Sequence, residues 1–159
     1  MKEVPSEGVL AAGPPAAFAA LVDTLSRYGS LPLEIVLGPA LILAREGFPL
    51  HEGVLFMPGF GVSDNRRKFR QDWKGSGQVY LNPGGLLPEV GDRLINAPLA
   101  DLLQTMADVA RRAPSPKEGL QTARREFYQG DVAVAIDGFV REREGFLSRD
   151  DLAGFEARF

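Results

Sequence analysis

A chain of 159 residues is the size of one ordinary domain and long enough to bury a single core. Its net charge of −3 supplies no attraction to nucleic acid or to an anionic membrane surface, so neither is expected as a partner. The absence of cysteine excludes disulfides, thiolate-bound zinc and thiol catalysis within this chain, but leaves the compartment open. No apolar run is read as reaching the roughly 18 residues of a membrane span, and the acidic start, with Glu3 and Glu7, does not read as a secretory signal.

Pro14 and Pro15 open a first helix over 16–28, because a missing N–H is harmless in a first turn. Phe18, Leu21, Val22, Leu25 and Tyr28 recur at helical spacing as its apolar face, and Gly29 stands where a left-handed cap is expected. Leu33 to Gly38 reads as a short helix that Pro39 interrupts. Helical turns then resume to Glu46, with Leu41, Ile42 and Leu43 contiguous, until Gly47 closes them. Residues 51–90 read as an irregular connection holding at most a short strand, Gln78 to Leu81, that enters an Asn82-Pro83-Gly84-Gly85 turn.

Asn96 is placed to cap a helix running to Arg112, with Leu99, Leu102, Leu103, Met106, Val109 and Ala110 on one face. Ser115-Pro116-Lys117-Glu118 has the capping-box form and opens a helix that reaches Tyr128. Asp131 is read as the cap of a helix carrying Val132, Ala135, Ile136, Phe139 and Val140. Ser148 with Asp151 caps a last short helix through Phe155. The expected fold is mainly α, about six helices with at most a short strand or hairpin, in a single helical domain or lobe over residues 1–159.

Chemistry is sparse in this chain. His51 is the only histidine, so a histidine-built metal site or catalytic triad has too few parts, and a solvated loop residue is expected. Asp150, Asp151, Glu142 and Glu144 could be imagined as an acid–base pair, but Asp151 falls where a capping acid belongs and Glu142 and Glu144 fall at a helix end. Arg66 to Lys74 interleaves basic residues with Phe69 and Trp73, the pattern of a small phosphate or nucleic-acid patch. Against the acidic whole, a solvated loop anchored by Trp73 is expected instead. Gly75-Ser76-Gly77 lacks the Lys-Ser/Thr that completes a phosphate loop.

Several short pieces fall in a common order: Gly13 and Pro15, Tyr28-Gly29, Leu31-Pro32, Pro39-Ala40, Leu43-Ala44-Arg45, Gly47-Phe48, Gly91-Asp92-Arg93-Leu94, Leu99-Ala100, and Phe127-Tyr128 onward to Phe155. Taken together they resemble the large subunit of γ-glutamyltranspeptidases, enzymes of the N-terminal-nucleophile hydrolase superfamily. The likeness covers nearly the whole chain and departs in a longer segment between Arg112 and Phe127. It implies the helical lobe of such an enzyme, with γ-glutamyl transfer or hydrolysis on glutathione-type substrates as the parent reaction.

The family nucleophile is a threonine in a Thr-Thr/Ser-His-Phe setting at the start of the small subunit. Thr24, Thr105 and Thr122 fall inside expected helices, and none is followed by histidine. The substrate-holding arginine of the family lies in an Arg-Glu-x-Ala-Pro motif that does not occur here, and its oxyanion glycines belong to the small subunit, so Gly84-Gly85 cannot inherit that role. No catalytic, substrate-binding or metal residue is therefore assigned, and no cofactor is expected. The expected partner is the remainder of the parent enzyme, or a second copy, through the apolar faces of 39–46 and 131–144. The alternatives are a stand-alone helical interaction module and the lobe of a related acylase.

Overall fold

The computed structural model describes residues 5–156. The helices and strands run in the order α1 (Ala16–Tyr28), α2 (Leu33–Glu46), β1 (Phe48–Pro49), α3 (Glu52–Phe56), α4 (Val62–Gln71), α5 (Lys74–Tyr80), β2 (Arg93–Leu94), α6 (Ala97–Arg111), α7 (Pro116–Gln129), α8 (Asp131–Arg141) and α9 (Arg149–Ala153). The mainly α class is as the sequence implies; the described residues form nine α-helices rather than about six, and their two short strands lie where none was expected. Residues pack into two units, one formed by the described residues up to Leu37 with those from Thr105 on, the other by Gly38–Gln104.

In the first unit α7 packs against α1, α8 and α9. Its buried face, Leu120, Ala123, Phe127 and Tyr128, follows the spacing of an amphipathic helix. Phe18 of α1 stacks on Phe127 with ring centroids 4.7 Å apart, and Tyr128 stacks on Phe155 at 5.7 Å. The Tyr128 hydroxyl accepts from the Ala19 amide at 3.0 Å and donates to the Pro15 carbonyl at 2.5 Å. One side chain thus fixes the first turn of α1, where no side-chain cap is present. Ser115 caps α7 by accepting from the Glu118 amide, and its hydroxyl donates to the Glu118 carboxylate at 2.9 Å. Ser148 and Asp151 form the complete reciprocal capping box of α9. Buried Asp137 accepts from the first amide of α9, that of Arg149, and from the Arg141 side chain.

In the second unit Leu50, Leu55, Val62 and Leu94 form the core, with Phe48, Phe69, Val79 and Tyr80 packed against it. Phe48 pairs with Leu94 and Pro49 with Arg93 in an antiparallel ladder. Gly47 makes the entry possible: its φ is +80°, and a Cβ there would lie 2.8 Å from the Ile95 side chain. The Arg93 guanidinium donates to the Glu46 and Gly47 carbonyls at 2.8 and 2.9 Å, placing a cation at the open end of α2.

Five local expectations are corrected. Residues 51–90 carry the three short helices α3, α4 and α5. They escaped notice because α4 is almost wholly polar in sequence and buries only Val62 fully, while α5 contains two glycines. The strand expected at 78–81 is helix as far as Tyr80, followed by an isolated bridge between Asn82 and Leu86. Pro39 does not interrupt α2, which is continuous from Leu33 to Glu46; the carbonyl it leaves without an N–H partner belongs to Ile35, a solvent-exposed residue. Gly29 is extended (φ −86°, ψ 155°), and glycine is favoured there by contact, since a Cβ would lie 2.7 Å from the Leu25 carbonyl oxygen. Asp131 is the first helical residue of α8, and the capping position is Gly130.

A further correction concerns Val9–Tyr28, which is apolar enough over 20 residues to pass as a membrane span by composition. In the structure it is broken by non-helical residues 12–15. The continuous helix α1 has 13 residues. At about 1.5 Å each these extend about 20 Å, short of a bilayer core about 30 Å thick.

Replacing Tyr128 by phenylalanine keeps the ring stack and removes both hydroxyl bonds. We expect a loss of about 0.5–1.5 kcal/mol, the net worth of a hydrogen bond, since the Ala19 amide and the Pro15 carbonyl stand four residues apart and can pair with each other once the hydroxyl is gone, read as a lower urea midpoint with an unchanged m-value. Burial holds the Tyr128 phenol above its ordinary ionisation range. Stability from this group is therefore complete below the ordinary tyrosine range and falls as pH rises through it toward the folded value, a loss that Tyr128→Phe should lack.

Candidate functional site

The three threonines stand on helices, Thr24 on α1, Thr105 on α6 and Thr122 on α7. The Thr122 hydroxyl donates to the Glu118 carbonyl one turn back at 2.8 Å, so its proton is held by the backbone rather than by a general base. Thr24 and Thr105 are solvent-exposed on their helices.

His51 caps α3, a role its expected place in a solvated loop did not include. Its Nδ1 accepts from the Gly53 amide at 3.1 Å, which leaves the neutral ring protonated on Nε2. It lines an apolar cleft of about 450 Å³ with Met57, Phe60, Phe69 and Tyr80, and no carboxylate lines that cleft. Among the described residues no group of three or more His, Asp or Glu is arranged to hold a metal ion.

The carboxylates divide by partner. Asp151 accepts from the Ser148 hydroxyl at 2.7 Å and the Ser148 amide at 2.9 Å, and these bonds hold it below the ordinary carboxylate range. An acid so held is a poor proton donor near neutral pH. Asp150 is exposed beside it; Glu142 and Glu144 are exposed past the end of α8, with Glu142 paired to Arg143 at 3.2 Å.

Arg66 to Lys74, expected as a loop, is instead most of α4 and the start of α5. Trp73 does anchor it: the Lys68 ammonium lies 5.2 Å from the Trp73 ring centre, and Phe69 sits between Trp73 and Tyr80 at 6.0 and 5.6 Å. Arg66 reaches across to donate to the Gly85 carbonyl at 3.0 Å. This brings the basic stretch against the Asn82–Gly85 turn, a juxtaposition the sequence did not reveal because the two segments lie on opposite sides of α5. Between them opens a cleft of about 510 Å³, lined by Arg70, Lys74, Gln78, Leu81 and the turn.

The structure of this helical assembly is shared with known hydrolases and transferases. It superposes on the γ-glutamyltranspeptidase of Helicobacter pylori with a TM-score of 0.78 at 24% identity, covering 98% of this chain and 40% of that one. A cephalosporin acylase from Bacillus halodurans gives a TM-score of 0.78 at 26% identity, over 97% of this chain and 26% of that one. In sequence, the glutathione hydrolase proenzyme of Escherichia coli (strain K12) is 30% identical over 151 residues, 93% of this chain. The γ-glutamyltranspeptidase family model matches residues 1–159. The chain therefore belongs to the γ-glutamyltranspeptidase family, and it corresponds to the helical part of the large subunit. It spans 22% of the length of the Escherichia coli relative.

Asp92 is a second carboxylate held below its ordinary range, by the Glu89 amide and the Asn82 side chain. Because both acids have depressed folded values, the stability they lend is present above the ordinary carboxylate value and is lost as pH falls through the folded one. The urea midpoint should fall as pH drops from about 5 toward 2. Asp92→Asn with Asp151→Asn should flatten that limb; an unchanged acid limb in the double variant would contradict the assignment.

Proposed function

We propose that this chain serves as one helical lobe of a γ-glutamyltranspeptidase-like enzyme, and that the reaction is carried by parts of such an enzyme that these residues do not span. The parent reaction is transfer or hydrolysis of a γ-glutamyl group through a threonine acyl-enzyme, with glutathione-type substrates. The observation that carries this reading is the whole-length family match, combined with the position of Thr24, Thr105 and Thr122 inside the helices α1, α6 and α7. Acyl transfer needs an activated nucleophile beside preorganised donors.

Exposed apolar side chains support a lobe with a surface still to be covered. Leu21, Tyr28 and Leu31 are 64%, 80% and 56% exposed, and only 11% of the apolar window within Val9–Tyr28 is buried. Ile42 and Leu43 on α2, and Val134 and Phe139 on α8, are also about half exposed, on the two faces expected to seek a partner. Where such side chains adjoin, they mark contact surfaces. The same surfaces serve the second reading, a helical module that associates with another protein or with itself. The acylase likeness favours a third, in which the lobe belongs to a parent with a different acyl substrate.

The purified 159-residue chain should release no aniline from a γ-glutamyl anilide above the buffer rate, and a hydrophobic dye should bind it. Turnover that survives replacement of Thr24, Thr105 and Thr122 together by alanine would show a reaction centre within these residues. A monomer at high concentration that binds no dye would favour a self-sufficient domain.

A further inference from the structure

We infer that the cleft beside the Gly84–Gly85 turn is a binding site for a small phosphoryl-bearing anion. Val62 to Gly85 holds five cations, Arg66, Arg67, Lys68, Arg70 and Lys74, against two carboxylates, Asp64 and Asp72, in a chain whose net charge is −3. Asp64 is occupied by the Gly59 amide at 2.8 Å. Arg70 and Lys74 both line the cleft of about 510 Å³, and no carboxylate does. Neither has an ion-pair partner among the described residues. Arg66, Arg67 and Arg70 line a second cleft of about 330 Å³, again without a carboxylate.

The wall of the cleft is built rather than incidental. Gly84 and Gly85 follow one another at φ +77° and +75°, a conformation closed to ordinary side chains. A Cβ on Gly85 would lie 2.8 Å from Arg70 Nε and 3.0 Å from its Cδ, so the bare glycine lets the Arg70 side chain lie along the turn. Arg66 holds the same residue through its carbonyl at 3.0 Å. The glycine turn and α4 therefore fix Arg70 as a fork aimed along the cleft, with Lys74 as a point charge beside it. Two unneutralised cations facing one space match the charge of a phosphoryl group better than that of a single carboxylate.

The volume is that of a small-molecule site, and Phe69, Leu81 and Pro83 give the ligand an apolar wall. A nucleic-acid strand fits less well. It would need a basic track extending beyond this segment, and the rest of the chain is acidic.

Pyrophosphate titrated into the 159-residue chain at constant ionic strength should bind saturably at one site, with amide shifts centred on Gln78, Gly84 and Gly85. Arg70→Gln should weaken it about tenfold or more, the loss of one charge-assisted pair. Adding Lys74→Gln should abolish it, and Arg70→Lys should recover part of the Arg70→Gln loss. Arg112→Gln, on an exposed residue beyond α6, should leave it unchanged. The inference fails if pyrophosphate binds no better than chloride, if glutamate binds equally well, or if the Arg70→Gln/Lys74→Gln chain binds as the parent does. It also fails if a single-stranded oligonucleotide binds and saturating pyrophosphate does not displace it.

Discussion

A single phenol hydroxyl joins two stretches of chain more than a hundred residues apart. Tyr128 receives the Ala19 amide and donates to the Pro15 carbonyl, standing between the donor and the acceptor, four residues apart, that close the first turn of α1. The ring beneath that hydroxyl completes the stack of Phe18, Phe127 and Phe155, and the Arg124 guanidinium lies 5.4 Å from its centre. Arg124 also donates to the Phe155 carbonyl at 2.8 Å and faces Asp23 at 3.8 Å. The closure of the first unit thus depends on α7 presenting Ala123, Phe127 and Tyr128 to one side while its ends are stopped by Ser115 and Gly130.

Many of the residues that carry the family likeness have places in this framework. Phe127, Tyr128 and Phe155 build the aromatic stack. Gly47 turns the chain at positive φ, Phe48 pairs with Leu94, Asp92 ties the loop before β2, and Arg93 closes the end of α2. A framework of this kind can be recognised across low identity, and one framework can serve different chemistries. The γ-glutamyltranspeptidase and the cephalosporin acylase share its fold with this chain.

What could be read from the sequence followed the strength of local signals. The capped helices α7 and α9 were readable because Ser115 and Ser148 sit at fixed offsets from acids that answer them. Helix α4 was not, since its fixed points are a buried Val62 and a half-buried Phe69 amid charge, and no apolar stripe survives. The continuity of α2 through Pro39 was missed for the opposite reason: a strong local breaker was overridden at a position where solvent can take the freed carbonyl. His51 as a cap and the meeting of Arg66 with Gly85 depend on folding over distance, which periodicity cannot report.

We propose a framework piece whose exposed apolar faces are covered by the rest of an enzyme. The coding sequence around it tests that most directly. An open frame continuing beyond Phe159 into a Thr-Thr/Ser-His-Phe segment is the expected result. A stop codon immediately after Phe159, with no such segment encoded nearby, would contradict the account and leave an independent helical module in its place.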